Sequence, residues 1–516
     1  MDTKVSYKVI VLLLILVAAA SPVLSRADAA RHQRARSHAA RSALRKNGAK
    51  PAAKYVKDLS IARIVDSWLA RPELSRSLVG VEVMDAKTGD VLFSHNGTKR
   101  FTPASTAKVF TTACAYDLLG PDFRYRTSLT TSGDIVGNRL KGDLILNPSQ
   151  DPTLGRGDLL RLFNELTGQG VRIVDGVFHV SRPDGGGDQF MPGWLNEDWG
   201  QDWMPVSSDL VLDHNVFTGG ALPKNAKLIE LPAESELSSQ TRSLLRQDLS
   251  PGWLIYDPKA NIIRALRGYP SLSAKGPLIV GNPTVFNGSL AAAMAQESGI
   301  HFGKQSKEDP AKSGARRVLA QHLSQPITKI IEVTLHESDN LFAQQLLRTI
   351  GALEADDAKR RKSPFDPDIL EERGVVRLER WLASIGGNTQ EVILKDGCGL
   401  SRKNCVSPHA LNTVLRHMAA KYGDRAYVSL LKGGQVRSTG AGTYRFKTGA
   451  MDSVRTITGI LKNTSGRNLL VTIMVNGHTP RVGDVRTSMG ALISQLVGAP
   501  VLEEEEKKPA LPDQSR

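Results

Sequence analysis

The chain has 516 residues, of which 41% are hydrophobic and 23% are charged, and its formal net charge is +15. Its length exceeds one typical domain, and its composition is that of a globular protein. Nine lysines and arginines, with no acid, lie between Arg31 and Lys57. A block of this kind is typical of a solvated arm, which argues against a folded nucleic-acid-binding domain. For residues 31–57 we expect contact with anionic polymers of the cell envelope.

The N-terminus carries an apolar run from Val9 to Ala20 behind two lysines. Twelve residues are too few for a membrane-spanning helix, which needs about 20, but they suit the core of a signal peptide. We predict a signal peptide over residues 1–29 and export to the periplasm or cell envelope, with the protein soluble or peripherally attached. Ala27-Asp28-Ala29 and Val23-Leu24-Ser25 are alternative cleavage sites, and an uncleaved N-terminal anchor is a third outcome.

Past a basic, disordered linker over residues 30–57, the first folded elements are a strand pair and a helix. The segment "SLVGVEVMDAKTGDVLFSHNG" alternates apolar and polar residues around a turn, which predicts a β-hairpin. The next segment, "TPASTAKVFTTACAYDLLG", has Thr and Pro ahead of an apolar stretch, which predicts a helix ending at Gly120.

The middle of the chain, residues 126–317, is rich in Gly, Asp and Pro and contains the short strand-like pieces "DLILN", "GVFHV" and "KLIEL". We predict one or two inserted β-rich domains there. Helical periodicity returns in "ITKIIEVTLHESDNLFAQQLLRTIGAL", and "VRTITGILKN" with "NLLVTIMVNG" predicts a second hairpin before a final helix. Strands at both ends with helices between indicate one α+β domain over residues 58–125 and 318–500, followed by a disordered tail over residues 501–516.

Three short patterns that carry chemistry occur several times each. Ser-x-x-Lys lies at Ser105–Lys108 and Ser429–Lys432, and Ser-x-Asn at Ser94–Asn96 and Ser338–Asn340. Lys-[Thr/Ser]-Gly occurs at three places, which begin at Lys87, Lys312 and Lys447. Together, and in this order, the patterns are the signature of active-site serine enzymes that react with penicillin. Of twelve combinations, only Ser105–Lys108, Ser338–Asn340 and Lys447–Gly449 keep the order.

The spacing of these residues suits acyl transfer. Residues three apart on a helix share a face, so Lys108 can take the Ser105 proton if burial lowers its pKa. Ser338 and Asn340, on a loop after a helix, could connect Lys108 to the leaving group and hold a substrate amide. Lys447 and Thr448, on an edge strand, would bind a substrate carboxylate while a peptide lies alongside.

In their contexts "PASTAK", "ESDNLFAQQLL", "FKTGAM" and "KDGCGLSRKNCVSP", these motifs resemble the low-molecular-mass class C penicillin-binding proteins, the D-alanyl-D-alanine carboxypeptidase/endopeptidase family. The resemblance covers about residues 58–498 and includes "QDPTL", "MPGWLNEDW" and "DLVLDHNVF". It implies a penicillin-recognising, β-lactamase-like catalytic domain with an antiparallel sheet and a helical lobe, interrupted by the insert. Peptidoglycan stem peptides would be its substrates and β-lactams its inhibitors, with no cofactor or metal.

The resemblance also assigns roles to single residues. Ser105 would be the acylated nucleophile, Lys108 its base, and Lys447, Thr448 and Gly449 the carboxylate-binding strand. The backbone N–H groups of Ser105 and Ala450 would form the oxyanion hole. For a diaminopimelate side chain of the substrate, the candidate residues are Asp198, Arg402 and Met451, although Asp198 could equally cap a turn and Arg402 form a surface ion pair.

Two features beside the motifs remain open at the level of sequence. Cys398 stands where the family usually has a small hydroxyl residue, and it could pair with Cys405 across a short loop, whereas Cys114 suits a buried apolar position. His336 lies two residues before Ser338 and is expected to be structural. The rival functions are a β-lactamase or esterase with the same motifs, and a catalytically silent peptidoglycan-binding scaffold.

Overall fold

The structure is a computed structural model of the chain. It describes residues 54–181, 191–195, 198, 203–204, 206–217, 227–231, 254–257, 262–266, 278–279, 283–307, 316–353, 369–435, 442–478 and 482–498. The predicted signal peptide, most of the basic linker and the predicted C-terminal tail lie outside these residues. Within the described part of the chain, no helix is long and apolar enough to cross a membrane.

The described helices and strands have the following bounds. The α-helices are α1 Leu59–Leu69, α2 Lys108–Leu119, α3 Arg156–Gly168, α4 Pro283–Glu297, α5 Ile327–His336, α6 Asn340–Ala352, α7 Leu370–Ser384, α8 Pro408–Tyr422 and α9 Val482–Val497. The strands of the first half are β1 Leu78–Asp85, β2 Val91–His95, β3 Arg126–Thr131, β4 Asp134–Val136, β5 Arg139–Lys141, β6 Leu144–Asn147, β7 Ile173–Val174, β8 Phe178–Val180, β9 Val216–Phe217, β10 Lys227–Leu231 and β11 Leu254–Asp257. The remaining strands are β12 Ile262–Leu266, β13 Leu278–Ile279, β14 His301–Phe302, β15 Arg317–Leu323, β16 Val392–Ile393, β17 Cys405–Val406, β18 Lys432–Gln435, β19 Thr443–Met451, β20 Val454–Lys462 and β21 Asn468–Asn476.

A six-stranded antiparallel sheet joins the two ends of the described chain. Its strand order is β18-β19-β20-β21-β1-β2, so the N-terminal hairpin pairs with the C-terminal strands through β1 and β21. The predicted hairpins, β1 with β2 and β20 with β21, are both present. Continuous apolar runs such as those of β1 and β21 carry a strong local signal because these strands are buried on both faces.

Helices cover both faces of this sheet. On one face α2, α5, α6, α7 and α8 form a lobe whose core includes Phe110, Ile331 and Leu346, packed on Met474 of β21. On the other face α1 and α9 pack against the alternate side chains of the same strands, with Trp68 buried between them. The result is a three-layer α+β arrangement with its central sheet buried on both sides.

The insert has its own sheets and its own core. One four-stranded sheet has the order β15-β3-β6-β8 and another the order β14-β7-β5-β4. Helices α3 and α4 contribute to a separate cluster of buried apolar residues that includes Phe163 and Leu146. Strand β15 pairs with β3, not with the six-stranded sheet, so the chain enters the insert through β3 and leaves it through β15.

The folded part begins before the position expected from sequence. Residues 54–57 were assigned to the disordered linker, yet the backbone of Lys54, Val56 and Asp58 bonds with Val91 and Leu92 of β2. Strand β2 is the edge of the sheet and has unpaired backbone groups to offer, which explains why a basic segment becomes ordered there.

A buried ionic cluster fastens the segment at residues 206–212 to the helical lobe. Arg348 of α6 donates to Asp209 at 2.5 Å and to Glu371 of α7 at 3.0 Å, and all three side chains are at most 2% exposed. Ser207 also donates to Glu371. Because an unpaired charge in such a site is costly, the cluster fixes α6 relative to α7 and to that segment.

Replacing Arg348, at the centre of this cluster, tests how much the cluster contributes to the free energy of unfolding. Arg348→Met removes the cation and leaves Asp209 and Glu371 buried without it, so we expect a loss of about 3–5 kcal/mol in the free energy of unfolding. Urea unfolding monitored by circular dichroism measures this loss. Arg139→Met is the matched control, because Arg139 pairs with Asp175 at the surface and an exposed pair contributes about 1 kcal/mol or less. Equal losses in the two variants would contradict the assigned role.

Candidate active site

Ser105 lies at the start of the central helix of the lobe. Its turn, Ala104–Ala107, is a 3-10 helix that continues directly into α2 at Lys108. The sequence predicted Ser105 and Lys108 on one α-helix; the structure instead puts the serine on the tighter turn. With three residues per turn, positions i and i+3 are eclipsed, so the two side chains lie on the same side. Lys108 Nζ and Ser105 Oγ are 3.0 Å apart and hydrogen-bonded.

The Lys108 amine is fully buried and surrounded by acceptors from distant parts of the chain. Besides Ser105 Oγ, it donates to Asn340 Oδ1 at 2.6 Å and to the carbonyl oxygen of Cys398 at 2.7 Å. Burial lowers the pKa of Lys108, and the negative charges of Asp396 and Asp339 offset part of this shift. The site therefore favours the neutral amine that a general base requires.

The second motif lies at the junction of α5 and α6. Ser338 has a positive φ of 62°, a left-handed conformation that is costly for a residue with a Cβ, and Asn340 is the first residue of α6. Ser338 Oγ accepts a hydrogen bond from Lys447 at 2.9 Å, while Asn340 Nδ2 donates to the carbonyl oxygen of Trp203 at 2.6 Å. Because Asn340 also holds Lys108, this motif connects the first motif to the third.

The third motif lies on β19. Lys447 is only 3% exposed, whereas Thr448 and Ala450 are exposed on the alternate face. Lys447 Nζ donates to Ser338 Oγ and to the carbonyl oxygen of Thr448, each at 2.9 Å. Burial, together with the charges of Lys108 and Lys432, lowers the pKa of Lys447 to about 7. A protonated Lys447 keeps a third N–H for a ligand.

The expected edge position of the third motif holds only for part of β19. Strand β18 pairs with Thr443–Phe446, so that part is internal, which corrects the prediction of an edge strand. Within the described residues, Lys447–Met451 pairs only with β20. The backbone groups on the far side of Lys447–Met451 are the ones that an extended peptide can pair with.

Two threonines hold the serine turn against the sheet. The carbonyl oxygen of Pro103 accepts hydrogen bonds from Thr106 Oγ1 and from Thr456 Oγ1 of β20, both at 2.7 Å. Gly449 lies so close that a Cβ there would be 2.6 Å from the Pro103 carbonyl oxygen and 3.0 Å from the Ser105 nitrogen. Glycine is therefore required in the motif by the approach of two backbones, a reason that the tripeptide pattern alone does not give.

Asp396, which the sequence analysis did not single out, organises the loop that supplies the Cys398 carbonyl. Its Oδ1 accepts from the Gly399 N–H and from Asn404, and its Oδ2 accepts from the Ser401 N–H and from the indole of Trp194. Aspartate followed by glycine is a turn signal, so "KDGCG" contained a usable indication of this loop.

The three residues expected to bind a diaminopimelate side chain are placed differently. Arg402 Nη1 reaches the carbonyl oxygen of Asp452, which follows Met451 at the end of β19, and the Arg402 N–H donates to the Gly193 carbonyl. Met451 is half-buried at this end of the strand. Asp198 is half-buried and its N–H bonds to the Leu195 carbonyl within its own turn.

The rejected copies of the motifs have local structural contacts. Lys87 lies in the β1–β2 turn, where its N–H donates to Asp85, and Asn96 donates to the Val79 carbonyl. Ser429 Oγ donates to the Ala426 carbonyl within its own turn. The copy that begins at Lys312 lies outside the described residues.

The cysteines and His336 have simple environments. Cys114, Cys398 and Cys405 are free thiols, with Cys114 and Cys398 buried, so the structure contains no Cys398–Cys405 disulfide. Burial raises the pKa of both buried thiols. His336 ends α5 and is half-buried.

The chain belongs to the D-Ala-D-Ala carboxypeptidase 3 (S13) family, whose model matches residues 61–496. This confirms the family resemblance of the motifs and makes the chain a hydrolytic peptidase of this class. A D-alanyl-D-alanine carboxypeptidase of an Actinomadura species is 27% identical, over 87% of this chain and 88% of the relative. The carboxypeptidase DacB of Haemophilus influenzae is 24% identical, over 81% of this chain and 89% of the relative.

The fold is also that of a solved relative. The crystal structure of penicillin-binding protein 4 from Haemophilus influenzae covers 84% of this chain and 98% of its own length, with a TM-score of 0.63 and 22% identity. A structure of the same protein complexed with a β-lactam matches with a TM-score of 0.58. These similarities confirm the predicted penicillin-recognising α+β fold.

The close approach of β19 to the serine turn gives a direct test of the site's geometry. In Gly449→Ala the new methyl group would lie 2.3 Å from Thr456 Oγ1 and 2.6 Å from the Pro103 oxygen, so strand and turn must separate. We expect the rate of labelling by fluorescent penicillin to fall at least about 100-fold, since a misplacement of about 1 Å can cost that much. Gly168→Ala, where a Cβ meets nothing within 4 Å, is the control and should label at the normal rate. Normal labelling of Gly449→Ala would show that the approach is not needed.

Proposed function

We propose that the chain is a serine D-alanyl-D-alanine carboxypeptidase that cleaves peptidoglycan stem peptides through an acyl-enzyme on Ser105. The observation that carries this proposal is the hydrogen-bonded connection of the motifs: Ser105 to Lys108, Lys108 to Asn340, and Ser338 to Lys447. A nucleophile within reach of a buried amine, beside a cation with a free donor, is the arrangement that acyl transfer to a carboxylate-bearing peptide requires.

The contacts of Lys108 explain how it can act as a base. A neutral amine has two N–H groups and one lone pair, and the two shorter contacts, to Asn340 Oδ1 and the Cys398 carbonyl, take the two N–H groups. The lone pair then faces Ser105 Oγ at 3.0 Å and can accept the hydroxyl proton. Attack of Ser105 Oγ on the scissile carbonyl forms a tetrahedral intermediate, whose collapse breaks the bond to the terminal D-alanine. The leaving nitrogen receives, through the Ser338 hydroxyl, the proton that Lys108 took from Ser105, so Lys108 is neutral again.

The remaining residues position the substrate. Lys447 binds the terminal carboxylate with its third N–H, and the peptide pairs with the open side of Lys447–Met451. The N–H groups of Ser105 and Ala450 stabilise the oxyanion, which is consistent with the close packing of Gly449 on the Ser105 nitrogen. Water then attacks the acyl-enzyme and releases the shortened peptide, with Lys108 again accepting the proton.

The proposal extends to D,D-endopeptidase activity on cross-linked peptides and to inhibition by β-lactams. Both reactions use the same acylation step, and a relative from Haemophilus influenzae has been solved with a β-lactam. Arg402 and Met451, at the end of the open strand, and Asp198 form the proposed pocket for the diaminopimelate side chain. With penicillin, this enzyme would form a long-lived penicilloyl-enzyme, whereas a β-lactamase would hydrolyse penicillin rapidly.

Product analysis with purified muropeptides tests the activity. We expect the pentapeptide to lose one alanine and cross-linked dimers to split, both identified by mass, and we expect Ser105→Ala to do neither. Fluorescent penicillin should label the wild-type protein in a one-to-one ratio and leave Ser105→Ala unlabelled. Labelling of Ser105→Ala would refute the nucleophile, rapid penicillin turnover would favour a β-lactamase, and labelling without products would favour a silent scaffold.

The pH dependence of acylation separates the two lysines. Lys108 must be neutral, so the rate rises with pH through its lowered pKa, whereas Lys447 must be charged, so the rate falls as pH passes about 7. We expect an alkaline limb with a midpoint near 7 in the second-order rate constant for penicillin acylation. Lys447→Arg keeps its charge to far higher pH and should move this limb upward. An alkaline limb that is the same in Lys447→Arg would exclude Lys447 as its origin.

A further inference from the structure

A second cavity lies behind the strand that carries the third motif. It has a volume of about 630 Å³ and is bounded by β19, β20 and α9. Side chains alternate along a strand, so Tyr444, Phe446 and Thr448 face this cavity while Lys447 faces Ser338 on the other side of the sheet. The cavity therefore lies on the opposite face of the sheet from the Lys447 side chain, and Thr448, Gly449 and Ala450 of the third-motif strand form part of its wall.

The cavity is apolar at one end and basic at the other. Tyr444 and Phe446 stack with ring centroids 4.7 Å apart, and Ile493 of α9 lies opposite them. At the other end are Arg455 of β20 and Arg486 of α9. An occupant that complements both ends has apolar side chains at one end and carboxylates at the other.

Neither arginine is in an ion pair among the described residues, although the charge of Asp452 acts on Arg455. Arg455 Nη1 donates to the carbonyl oxygens of Met451 and Val454, each at 2.6 Å, and its Nε is buried with no hydrogen-bond partner. Arg486 is exposed and in no ion pair within the described residues. Burial and the nearby charge of Arg486 lower the pKa of Arg455, and the charge of Asp452 offsets part of this shift, so an anion between the two arginines would stabilise their charged forms.

Helix α9 ends beside the apolar end of the cavity. Val497 lies against Gly442, just before β19, and its carbonyl oxygen accepts from the N–H of Thr464, two residues after the end of β20. Gly498 and Pro500 follow, and these residue types end helices and favour a change of chain direction. The next residues are Val501 and Leu502, then four glutamates, Glu503–Glu506.

The distances suit a tail that runs back along the cavity. Arg486 and Val497 are eleven residues apart on α9, which corresponds to about 16 Å at 1.5 Å per residue. An extended chain covers this distance with about five residues. If the chain reverses by Pro500, Val501 and Leu502 lie at the apolar end, and the glutamates reach the two arginines.

We propose that the cavity is the docking site of the chain's own C-terminal segment Val501–Glu506, with Val501 and Leu502 beside Tyr444 and Ile493, and the glutamates on Arg455 and Arg486. The order of residues in the segment matches the cavity. The apolar pair Val501 and Leu502 comes first and meets the apolar end, and the glutamates that follow meet the two arginines. The segment would lie on the back of the strand whose front presents Lys447.

Site-specific photo-cross-linking in the full-length protein tests this docking. p-Benzoylphenylalanine placed at Leu502 should cross-link within one chain to Thr443–Met451 or to α9, as mapped by mass spectrometry of the digested protein. Leu511 is the matched control position, because it is a leucine beyond the glutamates, and the same probe there should give no cross-link in the cavity. Unchanged thermal unfolding by circular dichroism verifies that the substituted proteins are folded.

Charge dependence supplies the decisive comparison. Replacing Glu503–Glu506 by glutamine, or Arg486→Glu, should remove most of the cross-link from position 502, and 0.5 M salt should lower its yield in the wild-type background. Cross-links that map outside the cavity, or that join two copies of the chain, would overturn the proposal. So would a yield that is the same in the glutamine variant.

Discussion

The buried amine of Lys108 is the group on which the arrangement of the site depends. Its three hydrogen-bond partners, Ser105 Oγ, Asn340 Oδ1 and the Cys398 carbonyl, come from three different parts of the chain. An amine in a dry interior is tolerated only where its hydrogen bonds are satisfied, so the site forms only when all three segments are in place. The same lack of water lowers the pKa of Lys108 and favours its neutral form.

Each acceptor is held by contacts that have no part in the chemistry. The loop with the Cys398 carbonyl is fixed by the hydrogen bonds of Asp396, and the serine turn is fixed to the sheet by Thr456. Asn340 starts α6, and Arg348 of that helix is tied to two buried carboxylates. The precision of the site therefore depends on interactions spread through the helical lobe and the sheet.

Sequence reasoning found the elements and the motifs because both have local signals. The apolar runs of β20 and β21 and the periodicity around α5 and α6 are visible in short windows, and the order of three motifs selected Ser105, Ser338 and Lys447. One partner of Lys108 could not be predicted from sequence, since the Cys398 carbonyl is a backbone atom 290 positions away. The pairing of β18 with half of β19 likewise depends on a short strand with a weak local pattern, "KGGQ".

Strand β19 is the element that connects the two faces of the sheet. Its odd positions, such as Lys447 and Gly449, face the serine turn, whereas Tyr444, Phe446 and Thr448 face the cavity beside α9. Side chains on the two faces are attached to one backbone, which is paired to β20 over nine residues. A shift of the strand that moves the side chains on one face therefore also moves those on the other face. On the front of the strand, Gly449 is so close to the serine turn that a Cβ there would be 2.6 Å from the Pro103 carbonyl oxygen. Packing behind β19 is therefore a constraint on the position of Lys447.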